Sequence, residues 1–279
     1  MGSLGDLRRM ATTPKVGIRP MRRERGIRIA VIPDTQDKPG APKDHADWIG
    51  RWVKDRNPAV VVHLGDGPDM GSCSTHDEAG SLAAEGRSIG ADLASWDEWL
   101  TRFDRASKGW KGKKHVALGN HEGRLTRYID ANPETRDTFG DDPFGYARHG
   151  WMAHPFLEPF EVAGIWFSHF FPRSASGKVT QTRNGAPTAL AMVKREMRSC
   201  IAGHTQGLDV ACLTVGGKTL RGVIAGSCYL HTEDYLSPQG QGHWAGVLEL
   251  NEAADGYFDL CEVSLEYMCR KYGGGKWPK

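Results

Sequence analysis

The sequence contains no apolar run long enough to span a bilayer, and its first residues lack the hydrophobic segment of a signal peptide. Both absences argue against a membrane-embedded or secreted protein, and a cytoplasmic one is expected. Six cysteines stand at positions 73, 200, 212, 228, 261 and 269, with no Cys-x-x-Cys pair and no zinc-finger spacing. Neither a disulfide framework nor a structural zinc site is indicated, and reduced, buried thiols are expected instead. No Gly-x-x-x-x-Gly-Lys phosphate loop occurs, so nothing points to nucleotide-driven work.

What is present is a chain of 279 residues with a net charge of +2, unevenly spread. Residues 1–26 hold Arg8, Arg9, Lys15, Arg19, Arg22, Arg23 and Arg25 against Asp6 and Glu24. Without apolar periodicity such a leader is expected to be disordered, and its charge offers a salt-sensitive handle for phosphate backbones. Met10 and Met21 leave the true start open. The rest suffices for one large core, read as a single domain over 27–268, with a glycine-rich flexible tail over 269–279.

Period and punctuation give the elements. Residues 44–56 read as a helix with Trp48, Ile49, Trp52 and Val53 on one stripe, stopped by Asn57-Pro58. In a long insertion over 70–114, residues 89–103 carry Leu93, Trp96, Leu100 and Phe103 at helical spacing, a face for packing on a sheet. The first half of that insertion is a small polar loop containing His76, placed to touch a substrate. Residues 132–160, rich in Pro, Gly and aromatics, are expected to form a cap or long loops. Strands are expected over 208–214, 218–225, 245–250 and 257–263, together making a second sheet packed on the first. Between the first pair and the last pair, a polar loop carries His231, Glu233, Asp234, Tyr235, Gln239 and His243.

The chemistry sits where apolar runs end. Ile29 to Pro33 runs into Asp34-Thr35-Gln36, and Ala59 to Leu64 into Gly65-Asp66-Gly67-Pro68-Asp69. Val116-Ala117-Leu118 runs into Gly119-Asn120-His121-Glu122, Gly164 to Ser168 into His169, and Cys200-Ile201-Ala202 into Gly203-His204-Thr205-Gln206. Each is a short buried-strand pattern followed at once by a metal-capable side chain, at the end of a sheet where α/β proteins place their sites.

The ordered series Asp-x-Gln, Gly-Asp-x-x-Asp, Gly-Asn-His-Glu, His and Gly-His-x-Gln resembles the calcineurin-like metallophosphoesterase superfamily over about residues 27 to 265. Within it, the stretch from Met70 to Arg87, and Ile224 to Tyr229 followed by Pro238-Gln239-Gly240, are similar to the phosphoesterases encoded by tailed bacteriophages, which would place the protein in a host cytoplasm. The resemblance implies an α/β fold of two facing mixed β-sheets flanked by helices. It also implies a metal-dependent phosphoester hydrolase with two divalent ions that share and activate a water. Asp66 would bridge the ions. Asn120, His169 and His204 would complete one site, and Asp34, Gln36 and Gln206 the other. His121 would act as general acid, oriented by Glu122 or Asp69. Arg124, His76 and His231 are candidate substrate contacts.

Most of the superfamily has His where Gln36 and Gln206 stand. An amide oxygen is a harder donor than imidazole, which moves preference from zinc toward Mn(II), with Mg(II), Fe(II), Ni(II) and Zn(II) still admitted. The expected activity is that of a phosphodiesterase or nuclease-like enzyme on nucleic acid or a nucleotide. A phosphomonoesterase acting on a protein, nucleotide or DNA end is the alternative within enzymes. An inactive scaffold of the same fold is the alternative outside them, against which the retained His121 argues.

Overall fold

The computed structural model describes residues 25–74, 86–172, 187–232 and 243–278. The basic leader up to residue 24, His76, and Glu233 to Gln239 of the late polar loop lie outside the described residues.

The first strand shows how the layers form. In β1 (Ile27–Ile32) the side chains alternate, so that Ile29 and Val31 enter one apolar cluster while Ala30 and Ile32 enter another. Both clusters are dry, because the strand is sandwiched. β1 pairs in parallel with β2 (Val60–His63), β2 with β3 (Lys113–Ala117), and β3 with β4 (Trp151–His154). On its other edge β1 pairs antiparallel with β10 (Gly246–Ala254), which pairs antiparallel with β11 (Tyr257–Ser264), completing a sheet of order β11-β10-β1-β2-β3-β4. The second sheet has the order β5-β6-β7-β9-β8, built from β5 (Phe160–Val162), β6 (Ile165–Phe167), β7 (Cys200–Ala202), β8 (Leu208–Val215) and β9 (Lys218–Ala225). Between the sheets lie Ile29, Val31, Val62, Phe167, Ile201, Val223, Leu248 and Phe258.

Helices cover the outer faces. Against the first sheet lie α1 (Asp44–Arg56), α2 (Ile89–Ala106) and α6 (Leu265–Tyr272), through Trp48, Trp52, Trp96, Trp99, Phe103 and Met268. α3 (Glu122–Ala131) and the short α4 (Arg136–Phe139) follow β3. α5 (Ala189–Glu196) covers the second sheet with Met192 and Val193 against Cys200, Ala202 and Ile224. Two facing mixed sheets with flanking helices are therefore the fold, as expected. α1 stops where the sequence places its end: Asn57 takes a left-handed φ of 49° and its N–H bonds to Val53 O at 2.9 Å.

Several expectations are corrected. The strands expected over 245–250 and 257–263 do not join the second sheet; as β10 and β11 they extend the first. Glu249 helps explain this placement, since it faces Ala30 across the β1 pairing and is only 2% exposed. Its buried carboxylate is met by Arg28 at 2.8 Å and Arg56 at 2.6 Å, two cations that only the first sheet and α1 provide. The insertion over 132–160 is no uniform loop, because it contains α4 and the edge strand β4. Order also continues past residue 268: α6 runs to Tyr272 with Cys269 buried, and Trp277 lies against Trp48 with ring centroids 6.1 Å apart. All six cysteines are free, but Cys212 and Cys261 are exposed rather than buried.

The turns after β2 and β3 pack against one another with no room for side chains. Gly65 sits at φ +92°, and Gly119 lies so close to Asp66 that a Cβ there would overlap the Asp66 carboxylate and amide nitrogen. Gly119→Ala is accordingly expected to destabilise the fold by about 1–3 kcal/mol, the usual cost of overpacking, measured as a lowered urea midpoint at unchanged m-value.

Candidate metal centre

β1, β2 and β3 run parallel in one sheet, β6 and β7 in the other, and the segments following these strands meet at one place. His169 ties the sheets together: its Nδ1–H donates to Leu64 O at 2.8 Å, which turns Nε2 toward the centre. There Nε2 lies 3.0 Å from Asn120 Oδ1, 3.2 Å from His204 Nδ1 and 3.3 Å from Asp66 Oδ2. His204 Nδ1 is 2.9 Å from the same Asn120 oxygen. Ligand atoms of Asp66, His169 and His204 all fall within 4.8 Å of one another.

Asp34 joins through the backbone, with its Oδ1 accepting from His204 N at 3.0 Å, while its other oxygen is buried and has no hydrogen-bond partner among the described residues. Gln36 is tied to the same place by its backbone, whose N–H donates to Asp66 O at 2.8 Å. Gln206 is buried as well, but its side-chain oxygen accepts from the Tyr229 hydroxyl at 3.1 Å. His231 stacks on that tyrosine with centroids 4.7 Å apart, which brings the start of the late polar loop to Gln206. Gln36, Asp66, His204 and Gln206 all have positive φ, at 43°, 48°, 69° and 60°. Left-handed backbone at such residues costs of order 1–3 kcal/mol each and persists where the surroundings dictate it.

The electrostatics describe a place short of positive charge. Burial raises the Asp34 pKa to about 7, with the Asp66 carboxylate adding to the effect against His169. Burial also opposes ionisation of Asp66, but His121 and His169 overcome it and hold the carboxyl below the usual carboxylate range. His169, which burial alone would keep neutral, is pushed up to about 10 by Asp66. Positive charge is therefore favoured beside Asp66 and Asp34. Two carboxylates, one with an unpartnered buried oxygen among the described residues, two imidazoles and an amide oxygen are the donor set of a divalent cation, so these residues fit a metal.

Beside the cluster, His121 is oriented by Asp69 and not by Glu122. Its Nδ1 lies 3.0 Å from Asp69 Oδ1 and 2.9 Å from Asp69 O, which leaves Nε2 on the side of Asp66, 3.7 Å from Oδ2. Burial disfavours the charged imidazole, yet Asp66 and Asp69 together raise its pKa. Arg124 completes the arrangement, donating to Asp69 O at 2.7 Å and lying 3.2 Å from His121 Nε2.

Glu122 has another task. Its carboxylate accepts from the backbone N–H groups of Asp66, Gly67 and Gly119 at 3.0, 3.1 and 2.9 Å, and from the Tyr146 hydroxyl at 2.7 Å. It thereby locks the turns after β2 and β3 together. His63 performs a similar task on the other side. Burial holds its pKa down at about 3, so the ring is neutral; Nδ1 accepts from Gly65 N at 3.1 Å and Nε2–H donates to Thr35 Oγ1 at 2.8 Å. His63 is thus a buried, structural brace between the segments carrying Asp34 and Asp66. His115 stacks on His154 with a ring nitrogen pair 3.0 Å apart. Nothing in the sequence signalled Tyr146 or Tyr229 as partners of site residues, because each reaches its carboxylate or amide from a distant turn.

In Glu122→Gln the amide nitrogen would confront N–H donors in place of an acceptor. A loss of roughly 2–3 kcal/mol is expected by urea denaturation, the scale of a charged hydrogen bond left unmade in the interior.

The family model for calcineurin-like phosphoesterases matches residues 27–205. A comparison with curated proteins found no match. Among solved structures, one shares 12% identity with TM-score 0.44, covering 86% of this chain and 100% of its own. Another, described as "GAP50 the anchor in the inner membrane complex of Plasmodium", shares 10% identity with TM-score 0.36, covering 86% of this chain and 89% of its own. At these values the two likenesses carry no argument. The family match spans both parallel strand sets and the turns that close the metal cluster, and on it the chain belongs to the calcineurin-like phosphoesterase family and is a metal-dependent phosphoester hydrolase.

Proposed function

We propose that the protein is a phosphodiesterase acting on nucleic acid or a nucleotide, with Mn(II) as its preferred metal and His121 as general acid. The observation that carries this reading is the position of His121, fixed by Asp69 through Nδ1 so that Nε2 faces the side of the metal cluster. In this reading Asp66, Asn120, His169 and His204 would hold one ion, and Asp34, Gln36 and Gln206 together with Asp66 would hold another. The chemistry supplied on binding is Lewis acidity, which neutralises phosphoryl charge and brings the pKa of water toward neutral.

The protein's own part is positioning and proton transfer. A sugar hydroxyl is a poor leaving group and needs a proton as its P–O bond breaks. His121 Nε2 is the atom placed to give it, while Asp69 stabilises the cationic ring before transfer and holds it afterwards. Glu122 and His63 keep the turns in place, so the donor set need not reorganise during reaction. The amide oxygens of Gln36 and Gln206 favour a harder ion than zinc, which supports Mn(II). The basic leader and the arginines of α3 support a phosphate-rich substrate, as does the likeness of the stretches from Met70 and from Ile224 to phosphoesterases encoded by tailed bacteriophages.

Metal-stripped protein is expected to regain hydrolysis of an aryl phosphodiester best with Mn(II), and less well with Mg(II), Ni(II) or Zn(II). Turnover of the matching monoester by the same samples, at higher kcat/KM than the diester, would replace this reading with a phosphomonoesterase. With a nucleotide diester, whose leaving group needs protonation, His121→Ala should lower kcat by roughly 10²–10⁴. Asp69→Asn removes the carboxylate that orients His121 and also meets Arg124, and it should cost less, with a displaced pH profile for kcat. Equal rates for the wild type and His121→Ala on that substrate would remove the histidine from the mechanism.

A further inference from the structure

We infer that Arg127, with Arg124, forms a subsite for a second, non-scissile phosphate carried on the leaving-group side of the substrate. This rests on the proposed function and narrows it to diesters whose leaving group is itself phosphorylated.

α3 begins directly after Asn120 and His121, and Arg124 and Arg127 are three residues apart on it, hence neighbours on one face. Arg124 is committed. One of its nitrogens donates to Asp69 O at 2.7 Å and lies 3.4 Å from Asp69 Oδ1, and the other lies 3.2 Å from His121 Nε2. Arg127 is different. Its one hydrogen bond among the described residues is a long one, from a terminal nitrogen to Asn120 O at 3.4 Å, and it makes no ion pair with any carboxylate there. The guanidinium carries five N–H donors, so most of its capacity is unspent beside a proposed metal ligand.

Its surroundings are also of the wrong sign for a structural cation. Asp69, the acid close to Arg124, is already shared between that arginine and His121. Arg127 is exposed, so its remaining donors face solvent, and partial desolvation and the charge of Arg124 lower its pKa, in keeping with two like charges set side by side. Like charges at this helical spacing are unfavourable, and the natural relief is an anion lying between them. A planar fork suits phosphate oxygens, which it can take two at a time.

The side of the site follows from His121. Because Nε2 serves the leaving oxygen, the helix carrying both arginines lies on the leaving-group side. A phosphate bound there belongs to the departing fragment. The next phosphate of a nucleic-acid strand has this chemistry, and so does a terminal phosphate on a departing nucleotide.

The test uses three Mn(II)-dependent substrates: a thymidine dinucleoside monophosphate with no terminal phosphate, and its 5′- and 3′-phosphorylated forms. One phosphorylated form is expected to have a KM about tenfold below that of the unphosphorylated dinucleotide, equivalent to ~1.4 kcal/mol. In Arg127→Gln that ratio should fall toward one, whatever change is common to all three, and Arg127→Lys should retain only part of it. Calorimetric binding of the same ligands to His121→Ala, with and without Arg127→Gln, reads the subsite without turnover. A binding preference for an end-phosphorylated form that Arg127→Gln abolishes supports the subsite even if the wild type cleaves none of the three, a result that would overturn the diesterase reading alone. Equal KM and equal affinity for all three forms, or a preference that survives Arg127→Gln, overturns the subsite.

Discussion

A carboxylate removed from water must be compensated by its neighbours, and the site is arranged around this requirement at Asp66. It is 1% exposed and stands on a left-handed turn whose backbone is held by another buried carboxylate, Glu122, with Asp34 buried nearby. Three acids in a dry region would not tolerate one another without donors and cations. Glu122 is satisfied by three backbone N–H groups and a tyrosine hydroxyl. Asp66 receives His121 N at 2.9 Å and two imidazoles. Asp34 keeps one oxygen without a partner. The remaining deficit is of positive charge, and it is localised where the side chains from the two sheets converge.

Holding such a constellation requires a stiff background. Behind the turns lies an aromatic wall: Trp96 stacks on Trp99 at 5.0 Å, Trp99 stacks on Phe103 at 5.8 Å, and the edge of His63 meets both tryptophans and Trp151. These contacts fix His63, which in turn fixes Thr35 and Gly65. The wall therefore acts on the proposed ligands at one remove. It also keeps His63 neutral, the only state in which the ring can accept from Gly65 N and donate to Thr35 together. Packing and hydrogen bonding thus sustain the left-handed backbone of Gln36 and Asp66, which neither residue would choose alone.

What was legible in the sequence was whatever a local pattern determines. Strand ends were legible because a buried strand is a short apolar run and a metal-capable residue immediately follows it. α1 was legible from its tryptophan stripe and the Asn57-Pro58 stop, and α2 from the spacing of Trp96, Leu100 and Phe103. The sheet assignment of residues 246–264 was not legible, because a hairpin of alternating residues looks the same whichever sheet it joins. Glu249, buried and facing two arginines from elsewhere, helps decide it only once the chain is folded. The choice between Glu122 and Asp69 for orienting His121 was open for a related reason. Both carboxylates are near in sequence to the right turns, and only the approach of the β2 turn to the β3 turn commits Glu122 to backbone amides.

The two halves of the proposed metal centre differ in how they are held. Asn120, His169 and His204 touch one another through their donor atoms, and His169 is anchored by Leu64 O, so this half is preorganised by direct contact. In the other half, Asp34 leaves an oxygen unpartnered, Gln36 is fixed by its backbone, and the Gln206 oxygen is engaged by Tyr229. A ligand already accepting a hydrogen bond gives up part of its donor strength, and an amide begins weaker than an imidazole. Both effects fall on the same half. The asymmetry that the sequence shows as two glutamines is therefore deepened by the fold, and in the proposed two-ion reading one ion would be held more firmly than the other.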